Sequence, residues 1–378
     1  MEVFNYVDQS ESQGGTNIVV GRNGAGKSRF LRKIAEDSQA RGINTLIICN
    51  TPFDNLGPGR AKKKISAKSG ALLAERMLKS VISGTYRQSK SRASNVGAVL
   101  EYCGYSPIVS IVCRDVNMQH TETIRYSNPP NGDGAYFADI LAAARGLNDK
   151  TKFPFDLSGG ISERMSNNET YRLLRLEKEL KRAGILSSID IVLYKSSDRT
   201  EVDLRSASSG ELSLISTLVF LITKIQKQSV IVIDEPENSL HPQWQREYVK
   251  RIYDVLYLYE PTIYIATHAP LIISGARTTD LDINVMRMDG NGGKAVVESE
   301  NIEETMWELF GTITPESHYL SDRLVRSIAQ LKRGELSLDE VLAQIALMEV
   351  AAYDPKQMDV FRAASALSAK LAGEMEHD

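Results

Sequence analysis

A chain of 378 residues exceeds the usual size of one domain and reads as one large α/β core with insertions and an appendage. Hydrophobic residues at 42% and charged residues at 25% exclude a disordered chain, and 45 Lys plus Arg against 48 Asp plus Glu, a formal charge of -3, exclude a polycation that coats nucleic acid over its whole surface. The three cysteines, Cys49, Cys103 and Cys113, show no CxxC pairing, and no leader-like segment or run of about 18 apolar residues occurs, so a cytoplasmic protein without disulfides, zinc site or membrane span is expected.

In chain order, Asn17-Ile18-Val19-Val20 is a short apolar strand ending in a glycine-rich turn, and Phe30, Leu31 and Ile34 behind it are spaced as on a helix. Thr45 to Cys49 is a second strand, closing a β-α-β unit that implies a parallel sheet covered by helices on both faces. From Gly57 to about Arg92 the composition turns basic and polar, with Arg60, Lys62, Lys63, Lys64 and Lys68, and reads as an exposed, mobile insertion. Ile108 to Val112 and Ile189 to Leu193 are candidate strands. Glu169 to Ala183 is a candidate helix that could form part of a lid. Ser229 to Ile233 and Thr262 to Ala266 are β-branched apolar runs suited to strands buried on both faces, with Pro242 to Tyr259 as the helix between them. Beyond about Asn301 three helices are expected, over Ser321 to Leu331, Ser337 to Ala352 and Gln357 to Ala372. The second opens with the capping-box pattern Ser337-Leu338-Asp339-Glu340.

Gly21-Arg22-Asn23-Gly24-Ala25-Gly26-Lys27-Ser28 fits GxxxxGK[ST] between a strand and a helix, the context that gives the pattern its meaning. Backbone N–H groups of Asn23, Gly24, Ala25 and Gly26 can converge on a phosphate at the helix start, with Arg29 in the same turn. Lys27 adds a positive charge toward the β- and γ-phosphates of ATP, and the Ser28 hydroxyl is a magnesium ligand. Ile231 to Pro236 is a strand that delivers two carboxylates at its C-terminal edge: Asp234 to hold Mg2+ directly or through water, and Glu235 to orient and deprotonate the attacking water.

Ala207-Ser208-Ser209-Gly210-Glu211, ahead of an apolar helix, resembles the LSGGQ signature of ATP-binding cassettes, with Ala207 or Ser208 in place of the Leu and Glu211 in place of the Gln. Glu237 to Pro242 looks like the D-loop, and Ala266-Thr267-His268 is similar to the switch-histidine loop. The wording DEPENSLHP resembles the soluble ABC-type ATPases of the AAA, RecF, SMC and OLD group, among them ATPases of bacterial anti-phage and retron systems, rather than transporter cassettes. The resemblance covers most of residues 15 to 270.

It implies an α/β P-loop NTPase core of ABC type with a mixed or parallel central sheet, an ATPase domain over 1–300 with an inserted helical or lid segment at about 57–185, and a helical C-terminal appendage over 301–378 for partner docking. It also implies that two copies close head to tail, so that Ser209, Gly210 and Glu211 of one meet the nucleotide of the other while His268 senses the γ-phosphate. The expected function is a slow ATPase switch controlling a separate effector, a nuclease or toxin; a DNA clamp of RecF or SMC type and a transporter subunit are the alternatives. The glutamine-loop position stays open among Asn50, Asp54, Asn55 and Gln119, and Phe4 or Tyr6 is either the adenine-stacking aromatic or core. Arg60 to Lys68 is either a nucleic-acid contact or, more commonly for such a cluster, a solvated basic loop.

Overall fold

The computed structural model describes residues 15–51, 56, 63–66, 70–84, 90–117, 140, 142–144, 147–148, 151–158, 166–288, 293–295, 302–311, 318–351 and 355–375. The chain begins with β1 (Thr16–Gly21), α1 (Lys27–Ala40), β2 (Thr45–Cys49) and the short β3 (Lys64–Ser66). Helices α2 (Gly70–Gly84) and α3 (Lys90–Tyr102) follow, then β4 (Ile108–Arg114), β5 (Lys152–Asp156), α4 (Ser166–Arg175), α5 (Glu177–Arg182), β6 (Ser188–Tyr194) and β7 (Glu201–Asp203). Next come α6 (Ser209–Lys224), β8 (Val230–Asp234), α7 (Pro242–Leu256), β9 (Thr262–Ala266), α8 (Pro270–Arg277), β10 (Ile283–Met288) and β11 (Gly293–Ala295). A one-turn α9 (Ile302–Thr305) runs into a π-helical turn at Met306–Phe310, before α10 (His318–Lys332), α11 (Leu338–Ala351) and α12 (Pro355–Met375).

The main sheet has the order β11-β10-β1-β9-β8-β2-β3, parallel throughout except for the β10–β11 edge pair. Because strand side chains alternate, one set of residues (Ile18, Val20, Leu46, Ile48, Ile231, Ile233, Ile263, Ile265) enters the large core on one face. The other set (Ile47, Cys49, Val230, Val232, Tyr264, Ala266) packs beneath α1 on Leu31, Ile34 and Ala35. Both faces are thus covered, as near-continuous apolar strands require. Each fully buried Ile or Leu contributes about 1.5–3 kcal/mol through removal from water, and this anchors the strand ends on which the site is built.

A second, antiparallel sheet has the order β5-β4-β6-β7. Helix α6 is buried on almost every turn, from Leu214 to Ile222, because α2, α3 and α7 pack around it while its apolar side chains join the main core. Pro154 is tolerated in β5 because that strand is an edge.

The structure corrects the reading of residues 57–92 as an exposed, mobile insertion. Within it, α2 buries Ala74, Leu78, Val81 and Ile82 against the core and packs on α6. The i, i+4, i+7, i+8 spacing of those four residues is a helical apolar stripe that the neighbouring charges mask. Arg60, Lys62 and Lys68 lie outside the described residues, and Lys64 sits in β3. The expected helix over Glu169 to Ala183 is divided at Leu176 into α4 and α5. The three C-terminal helices form as expected around their own cluster of Leu320, Leu324, Leu331, Val341, Ile345, Met348, Phe361 and Ala364. Ser337 and Glu340 exchange the two hydrogen bonds of a capping box.

Candidate active site

The site lies along the C-terminal edge of the parallel sheet, where β1, β8 and β9 end side by side. After Gly21 the chain turns through Arg22 to Gly26, with Ala25 N donating to Arg22 O at 3.1 Å. Gly26 takes φ 97°, a left-handed conformation that costs glycine little, and α1 begins at the next residue. No side chain caps α1, so its first N–H groups remain available to a phosphate at the positive helix end. Asn23, Gly24 and Arg29 are exposed around this turn, and Ser28 is half-buried in the first turn of α1.

Lys27 is buried, and its Nζ donates to Gly21 O at 2.9 Å and Arg22 O at 3.3 Å. The same ammonium lies 2.8 Å from Nε2 of His268, a residue 241 positions away that follows β9. An ammonium can only donate, so this contact needs Nε2 as acceptor with the ring proton on Nδ1, whereas a hydrogen bond to the Glu235 carboxylate needs the opposite tautomer. Glu235 Oε1 stands 3.3 Å from the same Nε2. Burial lowers the Lys27 pKa, while Glu235, Asp234 and Glu237 oppose the shift. Burial and then the charge of Lys27 hold the His268 imidazole below its ordinary value.

Asp234 closes β8 and is buried. Glu235, the next residue, has φ 49°, a left-handed backbone that costs a non-glycine residue about 1–2 kcal/mol and re-aims the side chain out of the strand. The turn is held by Glu235 N donating to Ala266 O at 2.9 Å, and by Asn238 Nδ2, which donates to Glu235 Oε2 at 3.2 Å and to Asn50 O at 3.1 Å. A hydroxyl at Ser28 and a carboxylate at Asp234 are hard oxygen donors of the type Mg2+ prefers, so the donor set fits that ion.

The signature residues stand elsewhere. Ser208 caps α6 in a reciprocal box with Glu211: Glu211 N donates to Ser208 Oγ at 3.2 Å and Ser208 N to Glu211 Oε2 at 2.9 Å. Lys195 Nζ, from the end of the antiparallel sheet, occupies the other carboxylate oxygen of Glu211 at 2.8 Å. Glu211 is thereby engaged by the chain's own groups, whereas Ser209 is exposed. Ser208, Ser209 and Gly210 line an open groove of about 630 Å³ with Ser239, Leu240, His241, Gln243 and Trp244. His241 caps α7, its Nδ1 accepting from Gln243 N at 3.3 Å.

The fold therefore brings Lys27, Glu235 and His268 together beside Asp234, and holds Ser209 and Gly210 in a groove that no residue of Gly21 to Ser28 lines. Asn50 follows β2 beside Asn238, but Phe4, Tyr6, Asp54, Asn55 and Gln119 lie outside the described residues. Sequence reasoning missed Asn238 and Glu237 as structural partners of the site; an extra carboxylate and an amide directly after Asp234-Glu235-Pro236 were the available signal.

A glycine-rich phosphate loop after the first strand, paired carboxylates after β8 and a histidine after β9, on one edge of a mostly parallel sheet with a signature helix ahead of β8, define an ATP-binding P-loop ATPase domain of the ABC type. Residues 115–274, fewer than half of the chain, match the family described as "AAA domain, putative AbiEii toxin, Type IV TA system"; the matched stretch includes the signature, Asp234, Glu235 and His268 and starts downstream of the phosphate loop. Protein ea59 of Escherichia phage lambda is 27% identical over 113 residues, which cover 29% of this chain and 22% of the phage protein. Among solved structures, an Smc head bound to the C-winged helix domain of ScpA aligns with 75% of this chain and 90% of its own at 12% identity and TM-score 0.38. The ADP conformation of MJ1267, an ATP-binding cassette of an ABC transporter, aligns over 79% and 85% at 14% identity and TM-score 0.29. UvrA2 from Deinococcus radiodurans aligns over 75% and 34% at 16% identity and TM-score 0.31. At these scores the assignment rests on the strand order and loop geometry of the chain itself. Among the described residues no helix is long and apolar enough to cross a membrane.

Proposed function

We propose that the protein is an ATP-hydrolysing switch in which two copies close head to tail around nucleotide, and that the cycle of closing and opening controls a separate effector of an anti-phage system, a nuclease or toxin. The observation that carries the reading is the division of the ATP-contacting groups. Lys27, Glu235 and His268 converge on one edge, while Ser209 and Gly210 line a groove with residues after Glu235 and without any residue of the phosphate loop. A γ-phosphate that meets both sets is met by two chains.

In this reading the phosphates lie against Asn23 to Ser28 and displace Lys27 from its backbone partners toward the β- and γ-oxygens. Ser28 and Asp234 would hold Mg2+, which would supply charge neutralisation on the phosphates. Glu235, aimed out of the strand by its left-handed backbone, takes the proton of the attacking water, and neutral His268 donates or accepts at the γ-phosphate edge. Ser209 and Gly210 of the partner copy add N–H groups from the start of α6. The effector role draws support from the description of the matched family alone, and the helices after residue 301, with their own core and with Val325, Leu347, Val350, Val360 and Leu367 exposed, are the proposed docking region.

Mass photometry of the wild type and Glu235→Gln with ATP and Mg2+, alone and with the product of the neighbouring gene, tests this. The expected result is an ATP-dependent dimer that Glu235→Gln retains for longer, and a larger complex with the effector. A monomer under every condition refutes head-to-tail closure and leaves only nucleotide binding.

A further inference from the structure

The geometry points to Glu237 as a positioning residue that holds the His268 loop in register with Glu235. The inference deepens the proposed function, since it rests on His268 acting at the γ-phosphate. One carboxylate gathers the loop that follows β9: Glu237 Oε1 accepts from His268 N at 2.6 Å, and Oε2 accepts from Thr267 Oγ1 at 2.9 Å. Thr267 Oγ1 in turn accepts from Ala269 N at 3.0 Å, at the N-cap of α8, where Ala269 has no side chain able to cap. Three consecutive residues, Thr267 to Ala269, thus hang on Glu237 directly or through one hydroxyl.

A carboxylate in this position is costly. Burial pushes the Glu237 pKa up, and the neighbouring charge of Glu235 adds to the push, against hydrogen bonds from His268 and Thr267 that pull it down. A half-buried carboxylate of this kind persists when donors satisfy it, and His268 N and Thr267 Oγ1 of the histidine loop supply two of them. Nε2 of His268 meets Lys27 Nζ at 2.8 Å and Glu235 Oε1 at 3.3 Å. A displacement of about 1 Å at such a centre costs on the order of a hundredfold in rate, so a fixed backbone at His268 bears directly on turnover.

The neighbouring residues extend the arrangement. Asn238 donates to Glu235 Oε2 at 3.2 Å, and the Ser239 carbonyl lies against Gly210 of the signature. Residues 237, 238 and 239 therefore touch the histidine loop, the Glu235 carboxylate and the signature helix in succession. The segment joins the groove proposed to meet the partner copy to the two groups proposed to act on the γ-phosphate.

The test compares the full-length wild type, Glu237→Ala, Glu237→Gln and His268→Ala by steady-state ATPase kinetics and by NMR of the imidazole resonances, of which the chain has five. The groups facing the His268 ring are Lys27 of α1 and Glu235 after β8, with Glu237 on its backbone. In Glu237→Ala, kcat is expected to fall about tenfold or more with KM changed less than about threefold, and the His268 resonance to move. Glu237→Gln keeps an acceptor for His268 N–H and is expected to recover part of the loss. If Glu237→Ala does not fold, Glu237→Gln alone decides, through a partial fall in kcat and a smaller displacement of the same resonance. Wild-type kcat together with an unmoved His268 resonance in the folded variant overturns the inference. Wild-type turnover in His268→Ala brings down the switch reading instead, and the NMR displacement then still decides whether Glu237 holds the loop.

Discussion

Gly210 lies so close to Ser239 that a β-carbon built on it would stand 2.4 Å from the Ser239 carbonyl oxygen and 3.4 Å from the Trp244 ring. Signature helix and D-loop meet backbone to backbone, and both line the same groove. Gly210→Ala must force them apart, at a cost of about 1–3 kcal/mol as overpacking. We expect the variant to bind a fluorescent ATP analogue as the wild type does, because Lys27 and its loop are untouched, and to lose the ATP-dependent dimer. Dimer formation at the wild-type nucleotide concentration would show that the groove takes no part in closure.

A closer approach occurs between α7 and α8, where a β-carbon on Gly275 would stand 1.7 Å from Arg246 O. No side-chain rotation relieves a clash with backbone, so Gly275→Ala should destabilise the fold by about 3 kcal/mol or more. Gly373, within α12, has nothing within 4 Å of the equivalent position. Gly373→Ala should therefore stabilise by about 0.5–1 kcal/mol through reduced backbone entropy of the unfolded chain. Thermal unfolding of the two variants should move Tm in opposite directions; equal shifts would contradict the packing described.

Removal of the Lys27 ammonium should weaken ATP binding by about tenfold or more, equivalent to about 1.4 kcal/mol. Calorimetric titration of Lys27→Ala against wild type measures this. Glu235→Gln keeps the loop and the lysine, so it should bind ATP with an affinity near that of wild type while turnover falls on the order of a hundredfold or more. A Glu235→Gln protein that hydrolyses at the wild-type rate would remove Glu235 from the role of base.

The pH dependence of stability follows from His268. Its pKa in the folded protein is lowered from 6.5, first by burial and then by Lys27. Between the folded and unfolded values the unfolded chain binds more protons, so this contribution is fully present above about 6.5 and is lost as pH falls through 6.5 toward the folded value. Urea midpoints of the nucleotide-free protein, measured from pH 8 to pH 5, should decline more steeply for wild type than for His268→Asn. Parallel curves would mean that the histidine does not carry the dependence.

Much of the site was legible because its parts are local. Gly21 to Ser28 follows the three apolar residues Ile18 to Val20, and Asp234 and Glu235 stand at the end of another apolar strand, so each piece announces itself within about ten residues. What spacing could not supply was the meeting of Lys27 with His268, across 241 positions, or of Glu237 with the backbone of His268. A side chain that binds a distant main-chain N–H leaves no pattern in composition. The strands that escaped notice, β3, β5, β7, β10 and β11, are short or partly exposed, so the continuous apolar run that marks β1 and β8 is missing from them. Helix α2 escaped for the opposite reason, since its apolar stripe lies in a stretch where lysines and arginines dominate the eye.

The three cysteines bear on how motion in this protein can be followed. Cys49, Cys103 and Cys113 are all buried in the sheets and core and form no disulfide, and burial pushes the Cys103 thiol up to about 12, so its thiolate is scarce at neutral pH. The native chain consequently serves as its own blank for maleimide and nitroxide chemistry. A single cysteine introduced at an exposed position such as Arg41, just past α1, would carry the only label. Spin-to-spin distances between two such labels would then report whether copies pair, open and close as proposed, without any native residue being replaced by serine.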